Sequence, residues 1–264
     1  MKGPSGLPDK SLRDANSLAE IRAQELSDLI THFTFQQSLN DFSIWLKEFQ
    51  LLKDDFPENK DVQFLYAKTL KNAVKMFGER LLFADMLFLL DELELHYQKT
   101  CSEEVAEFLA EAITQTIFYL RGSWDVEGTS KLLNRLRNLV KAYPLNETLL
   151  IFFAKSYNNA INRFCSDRHN FICDRFLFEL RMFANKHQDN LKVQIEFANS
   201  LLSIIGTLAR EKRFPDLYQV LDELKRLANR YPKNEKLALI VSRANILTSL
   251  ATSYKEERKK RKNI

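Results

Sequence analysis

The stretch LLNRLRNLVKAYPLNETLLIFFAKSY, residues 132–157, joins two apolar runs through a Tyr-Pro break. Leucines recur at helical spacing before the break. After the break, apolar residues follow an i, i+3, i+4, i+7 stripe with Ala154 inside it. Pro144 stops the first helix, and Asn146 is placed to cap the second. The segment therefore predicts two helices joined by a tight turn, with a small residue where two helices approach closely.

The same pattern recurs along the chain. Counterparts of residues 132–136 start at 45, 89, 176 and 220, and the break recurs at 56–62, 100–106, 187–193 and 231–237, at 100–106 and 187–193 without a proline. The small residue recurs at spacings of 43 or 44, at Ala67, Ala110, Ala154, Ala198 and Ser242, and Ala23 lies one period earlier. Three markers in one register over five units predict an array of helical repeats.

The register predicts about eleven antiparallel helices, an all-α fold. Their expected starts lie near residues 17, 39, 59, 83, 102, 127, 146, 170, 190, 214 and 234. Ile151 and Phe152 lie off the main apolar stripe, so their helix needs cover on more than one side, as stacked repeats provide. Six glycines, six prolines and no sustained period-2 alternation argue against a β fold. We expect a flexible segment at 1–16, one repeat domain over 17–254 and a basic tail at 255–264.

The net charge of +4 comes from the tail alone, where the last ten residues hold six basic and two acidic side chains. The rest of the chain is neutral, which is not typical of a nucleic-acid-binding body. Cys101, Cys165 and Cys173 have no disulfide-framework spacing, which favours reduced thiols and a cytoplasmic location. We expect no secretory signal and no membrane-spanning helix.

In its pattern of apolar and small residues, the unit resembles the tetratricopeptide repeat. The matching positions are Leu150, Phe153, Ala154 and Tyr157 on a first helix, Leu132, Leu136 and Leu139 on a second helix, and the terminating Pro144. The unit is 44 residues long where the family has 34, and its second helix carries bulky residues where the family has alanine. The chain thus resembles a long-helix variant of that repeat or a related α-solenoid such as the HEAT type.

The resemblance implies a right-handed α–α superhelix whose concave groove, lined by the first helix of each pair, binds a peptide or partner protein. Carried over by position, the groove residues are Phe64, Lys68, Lys71, Asn72, Glu107, Glu111, Thr114, Gln115, Ile151, Lys155, Asn158, Asn159, Ile195, Asn199, Leu202, Ser203, Leu239, Arg243, Ile246 and Leu247. Some members of the family clamp a terminal carboxylate with Lys and Asn. Glu107 and Glu111 interrupt that arrangement here, so no such clamp is predicted.

Other candidate sites have weaker support. Cys165, His169 and Cys173 form C-x3-H-x3-C, but the spacing is unusual for zinc and a fourth ligand is missing nearby, so we predict no metal site. Trp124, in the Gly-richest connection, is either an interaction anchor or a cover for the adjacent helix pair. The chain has no phosphate loop, no H-E-x-x-H and no nucleophile elbow, so we predict no catalytic residue and no cofactor.

Together these features predict a non-enzymatic interaction scaffold whose partner is a peptide, a protein or a second copy of the chain. The alternative is a single-stranded RNA or DNA binder that uses the groove and the basic tail, with affinity falling steeply with salt. An enzyme built on a helical array is a third possibility. It would require a deep pocket with perturbed titratable groups.

Overall fold

The computed structural model describes the backbone of residues 10–36, 39–120, 126–166 and 170–262, and the side chains of 13–32, 41–120, 126–166 and 171–253. These residues form eleven helices and no strand, which confirms the all-α prediction. The helices are α1 Lys10–Gln36, α2 Leu39–Asp55, α3 Lys60–Glu79, α4 Phe83–Thr100, α5 Glu103–Tyr119, α6 Val126–Ala142, α7 Glu147–Ser166, α8 Asn170–Lys186, α9 Leu191–Glu211, α10 Phe214–Asn229 and α11 Glu235–Lys262.

Side-chain caps explain why five helices begin where they do. The caps are Asn59, Ser102, Asn146, Asn190 and Asn234, one at the same position of each repeat. In each case the side-chain oxygen accepts a hydrogen bond from a first-turn backbone N–H, at 2.9 to 3.5 Å. Such a bond satisfies a backbone N–H group that has no acceptor within the helix, and it stabilises the helix by about 1 kcal/mol. The repeat register therefore fixes helix starts as well as the core.

The chain divides into two compact units, Met1–Leu120 and Arg121–Ile264. In the first unit, α3 packs against α1, α2, α4 and α5. In the second unit, α9 packs in the same way against α7, α8, α10 and α11. Within each unit, odd-numbered helices therefore contact the next odd-numbered helix as well as the even-numbered helices beside them. This double contact is why α3, α7 and α9 carry apolar residues on more than one side.

The recurring small residue lies in the core of each unit. Ala23, Ala67, Ala110, Ala154 and Ala198 are all fully buried. Ser242 is exposed, because α11 is the last odd-numbered helix and the described residues provide no further repeat to cover it. The expectation of a packing point at Ser242 is therefore wrong, while the other positions behave as predicted.

The two ends of the described chain are helical. α1 begins at Lys10, ahead of the expected start near residue 17, and α11 continues through the basic tail to Lys262. Among the described residues, none of the helices combines the length and the apolar character needed to cross a bilayer.

Two glycines inside helices provide a matched stability test. A Cβ on Gly78 would meet the ring of Tyr119, with Cγ at 2.8 Å, whereas the nearest atom to a Cβ on Gly206 is a Leu247 methyl at 4.0 Å. We expect Gly206→Ala to stabilise the protein by about 0.5–1 kcal/mol, because alanine restricts the unfolded chain and favours helix. Gly78→Ala should destabilise it by about 1 kcal/mol through overpacking. Urea denaturation of both variants checks the opposite signs. Stabilisation by Gly78→Ala would contradict the packing at Gly78, and destabilisation by Gly206→Ala would contradict the open space at Gly206.

Candidate functional site

A cleft of about 1090 Å³ opens between two even-numbered helices of the second unit, α6 and α8. The odd-numbered helix α7 forms its floor, and the turns after α6 and α8 close one end. We call it the α6–α8 cleft. Its lining residues are Arg137, Val140, Lys141, Pro144, Leu145, Glu147, Leu150, Phe153, Tyr157, Phe178, Glu179, Met182, Phe183, Lys186, His187, Asp189 and Asn190.

The floor of the cleft is aromatic. Phe153 of α7 and Phe183 of α8 lie with ring centroids 4.3 Å apart, and Tyr157 lies 4.9 Å from Phe153. Phe153 and Tyr157 are buried, so their rings are held in place by packing. The cleft therefore has a rigid apolar base against which an apolar side chain can pack.

The rim of the cleft carries three large apolar side chains that face solvent. Leu145 is 92 % exposed, Phe178 57 % and Met182 58 %. Exposed apolar residues that converge around a concave site differ from scattered surface leucines, because they can be buried together by one ligand. Methionine adds adaptability, since its unbranched side chain fits surfaces of varied shape.

Two of these three residues depart from the repeat. The position of Phe178 holds Lys47, Asp91, Asn134 and Asp222 in the other units. The position of Leu145 holds Glu58, Asp189 and Lys233 in three of them. Met182 corresponds to Asn138 and Arg226 in the two neighbouring units but to Leu51 and Leu95 in the first two, so its position is not apolar in this unit alone. Apolar residues have thus replaced polar ones at the positions of Leu145 and Phe178, and both line one cleft together with Met182.

A polar cluster closes the other end of the cleft. The Tyr157 hydroxyl donates to Glu179 Oε2 at 2.5 Å, and the Arg137 guanidinium donates to both, at 2.8 Å to the hydroxyl and 2.7 Å to the carboxylate. Burial and the Glu179 carboxylate raise the pKa of Tyr157, so its hydroxyl stays a donor. The cluster joins α6, α7 and α8 and fixes the width of the cleft at this end.

Charges of both signs surround the apolar rim. Lys141 and Lys186 lie beside Glu147 and Asp189, and all four are exposed. The cleft therefore has no strong field of one sign, and its main driving force for burying a ligand would be apolar contact.

Equivalent clefts between other even-numbered helices are smaller and more charged. The α8–α10 cleft measures about 450 Å³, and Arg181 spans it with a bidentate ion pair to Glu223 at 2.6 and 2.8 Å. The α2–α4 cleft measures about 290 Å³. A further cavity in the first unit, of about 750 Å³, has a lining dominated by charged and polar side chains.

In the first unit, the predicted groove residues of α3 and α5 come together. Lys71 pairs with Glu111 at 3.4 Å, and the Gln115 amide donates to the same carboxylate at 3.0 Å. Phe64 packs on Phe108, which was not predicted, at a centroid distance of 5.1 Å. Lys68 is exposed, Asn72 and Glu107 are half-buried, and Thr114 is buried.

In the second unit, Asn158 is buried between α7 and α9. Its amide donates to Glu196 at 2.9 Å, and its carbonyl oxygen accepts from Ser200 and Asn162, both at 3.1 Å. Its polar atoms therefore hold two helices together. The other predicted groove residues differ in exposure: Lys155, Leu239, Arg243, Ile246 and Leu247 are exposed, and Ile151, Asn159, Ile195, Asn199, Leu202 and Ser203 are half-buried.

The remaining candidates fall in other places. Cys165 and Cys173 are buried next to each other, whereas His169 and Trp124 lie outside the described residues. Within the part of the chain that is described, no three His, Cys, Asp or Glu side chains group as a metal site requires.

Comparison of the chain with protein-family models, with curated proteins and with solved structures finds no match. The description of the fold as a helical repeat therefore rests on the sequence period and on the packing of neighbouring helices within each unit.

Proposed function

We propose that the protein is a non-enzymatic scaffold built from tetratricopeptide-like repeats, and that it binds a short apolar segment of a partner protein in the α6–α8 cleft. The observation that carries this proposal is the departure of Leu145 and Phe178 from the repeat. Both are apolar and exposed where sibling units have polar residues, and they surround one cleft together with the exposed Met182.

Repeat proteins support this argument because their units are built to one plan. A position that only packs neighbouring repeats keeps one chemical character, as the buried alanines do. A change that exposes apolar surface gains nothing for folding and risks aggregation. Its occurrence at both Leu145 and Phe178 around one cleft favours a role in binding.

The geometry favours a partner segment with two or more large apolar side chains. The volume of about 1090 Å³ is comparable to known ligand clefts, which reach about 1,000 Å³. The aromatic floor suits one buried anchor side chain, and Phe178 and Met182 can cover a second. The mixed rim charges would set the orientation of the segment.

The surface formed by the odd-numbered helices is the second candidate for the same function. The family resemblance places the groove there. Phe64, Phe108 and Lys71 form an aromatic and cationic patch on it, with Lys71 lying 5.8 Å from the centre of the Phe108 ring. A cytoplasmic location remains part of the proposal, and it is supported by the three free cysteines.

We expect Phe178→Asp to weaken peptide binding by about tenfold or more, because it places a charge in the apolar rim. Peptides selected from a displayed library on the wild-type protein serve as probes, and fluorescence polarisation gives the Kd. Tyr218→Asp is the matched control, since Tyr218 is 49 % exposed on α10 and lies outside the cleft.

Three outcomes would contradict this site. Equal Kd values for the wild type and Phe178→Asp would exclude the cleft, and loss of binding in Lys155→Glu instead would locate the partner on the odd-numbered helices. Tight binding of a labelled single-stranded oligonucleotide that falls steeply with salt, and that is lost on deletion of 255–264, would favour the nucleic-acid alternative.

A further inference from the structure

Two buried thiols meet where α7 ends and α8 begins. Cys165 is the penultimate residue of α7, and Cys173 lies in the first turns of α8. Each is 2 % exposed, and their Sγ atoms are 3.2 Å apart and hydrogen-bonded to each other. The thiol of Cys173 also lies 3.9 Å from the backbone oxygen of Ile161. Both thiols are free.

We propose that Cys165 and Cys173 form a reversible intrachain disulfide when the protein meets a hydroperoxide. A disulfide bond is about 2.05 Å long, so the two sulfur atoms need to approach by only about 1.2 Å. Rotation about the side-chain bonds and a small shift at a helix end supply such a movement.

The reaction balances with hydrogen peroxide as the oxidant. The thiolate of one cysteine attacks a peroxide oxygen, the O–O bond breaks, and a sulfenic acid forms as hydroxide leaves and takes up a proton to become water. The sulfur of the second cysteine then attacks the first, the S–O bond breaks, and a second water leaves. Two thiols have lost two electrons and peroxide has gained them. A small dithiol reverses the bond by exchange.

The surroundings favour Cys165 as the residue that reacts first. Its hydrogen bond with Cys173, then a hydrogen bond with Thr207 and the positive charge of Arg210, lower the pKa of Cys165. Burial and the charge of Asp174 act in the opposite direction. The same hydrogen bond and burial raise the pKa of Cys173. The Arg210 guanidinium donates to the Cys165 carbonyl at 3.2 Å, which keeps the cation beside this site.

Hydrogen peroxide can reach the buried thiols when the end of α7 opens locally. Cys165 is one residue from the end of its helix, and helix ends open at lower free energy than the core. Once formed, the disulfide would tie α7 to α8, the helices that give the α6–α8 cleft its floor and one wall. The proposal does not depend on the function of that cleft.

The test uses the full chain with Cys101→Ser, which removes the exposed cysteine and leaves the buried pair. The protein is treated with a small excess of hydrogen peroxide, unfolded, alkylated with iodoacetamide and weighed intact. We expect the main species to be about 2 Da lighter than the untreated chain, with neither thiol alkylated, and to return to the dithiol with dithiothreitol. Peptide mapping should link the segments that contain Cys165 and Cys173.

A second variant, Cys101→Ser with Cys173→Ala, provides the control. Here we expect a sulfenic acid at Cys165, trapped by dimedone, and no loss of about 2 Da. The proposal is overturned if both thiols of the parent remain open to alkylation after a treatment that oxidises the urea-unfolded chain. It is also overturned if they acquire oxygen independently, or if the main product is a dimer linked between chains.

Discussion

Acidification from pH 7 to pH 4 should remove about 3 kcal/mol of folding stability through His96 alone. His96 is buried in the first unit at a position that Leu139, Phe183 and Leu227 occupy in other units. Burial lowers its pKa from 6.5 to about 4. The folded state is therefore more stable with the neutral ring than with the charged ring.

The contacts of His96 explain why its charged form is disfavoured. Its Nε2 donates to the backbone oxygen of Gln63 at 3.1 Å, and its ring meets that of Tyr66 edge-on at 5.1 Å. The Gln63 bond favours the cation slightly, but burial outweighs it, and the charges of Lys53 and Lys99 add to burial. Asp54 acts in the opposite direction and is the weakest of these influences.

The sign follows from proton uptake. Between about pH 4 and 6.5 the unfolded chain carries a proton on this residue and the folded chain does not, so stability rises with pH in this window. Above the window both states are neutral, and below it both are protonated. The destabilisation is thus nearly complete at pH 4, where the folded ring is half protonated, and very small at pH 7.

His96→Leu should remove this part of the pH dependence while keeping the packing of sibling units. The measurement is the free energy of unfolding in urea at pH 4.5 and 7 for the wild type and for His96→Leu. Both proteins retain the same carboxylates, so the difference between their losses of stability on acidification is due to His96. His187→Tyr is the control and should alter the pH dependence of the unfolding free energy less than His96→Leu does. His187 is only half-buried, and Tyr occupies its position in two other units. Parallel loss of stability in wild type and His96→Leu would contradict the prediction.

The sequence predicted the repeat because packing and capping both follow one period. Asn146 and the other caps, and buried alanines such as Ala154, recur at fixed spacing whatever lies between them. These requirements are local, since a cap needs one oxygen at a helix start and a close contact needs one small side chain. That is why ten helix starts match within a residue, while α1 begins earlier than expected.

The candidate site was harder to predict for a related reason. Asn158 is a polar residue on a helix face, which predicts a groove position, but its side-chain amide is hydrogen-bonded to Glu196 and Ser200 on α9. A sequence does not distinguish a polar side chain that faces solvent from one that bonds to the next helix. In the sequence Phe178 is only an exception to the register. Its importance depends on its lining one cleft with Leu145, which lies in a different part of the chain.

Ala154→Leu should destabilise the protein by about 1–3 kcal/mol, because the added side chain must enter a filled core. Ala154 is fully buried on α7, which packs against α6, α8 and α9. Leu132, Leu136 and Leu139 of α6 are also buried, so the helix beside Ala154 has little free space to offer. Thermal and urea unfolding of the variant measure the change.

Ser242→Leu is the control that distinguishes the effect of burial in the core from the mere register position of the small residue. Ser242 occupies the same register position as Ala154, but it is exposed on α11. A surface substitution of this kind should change stability by no more than about 0.5 kcal/mol. If both changes destabilise equally, a further element covers α11 and the small residue is needed there too. If neither does, Ala154 is not a close packing point, and the physical reason given for its recurrence fails.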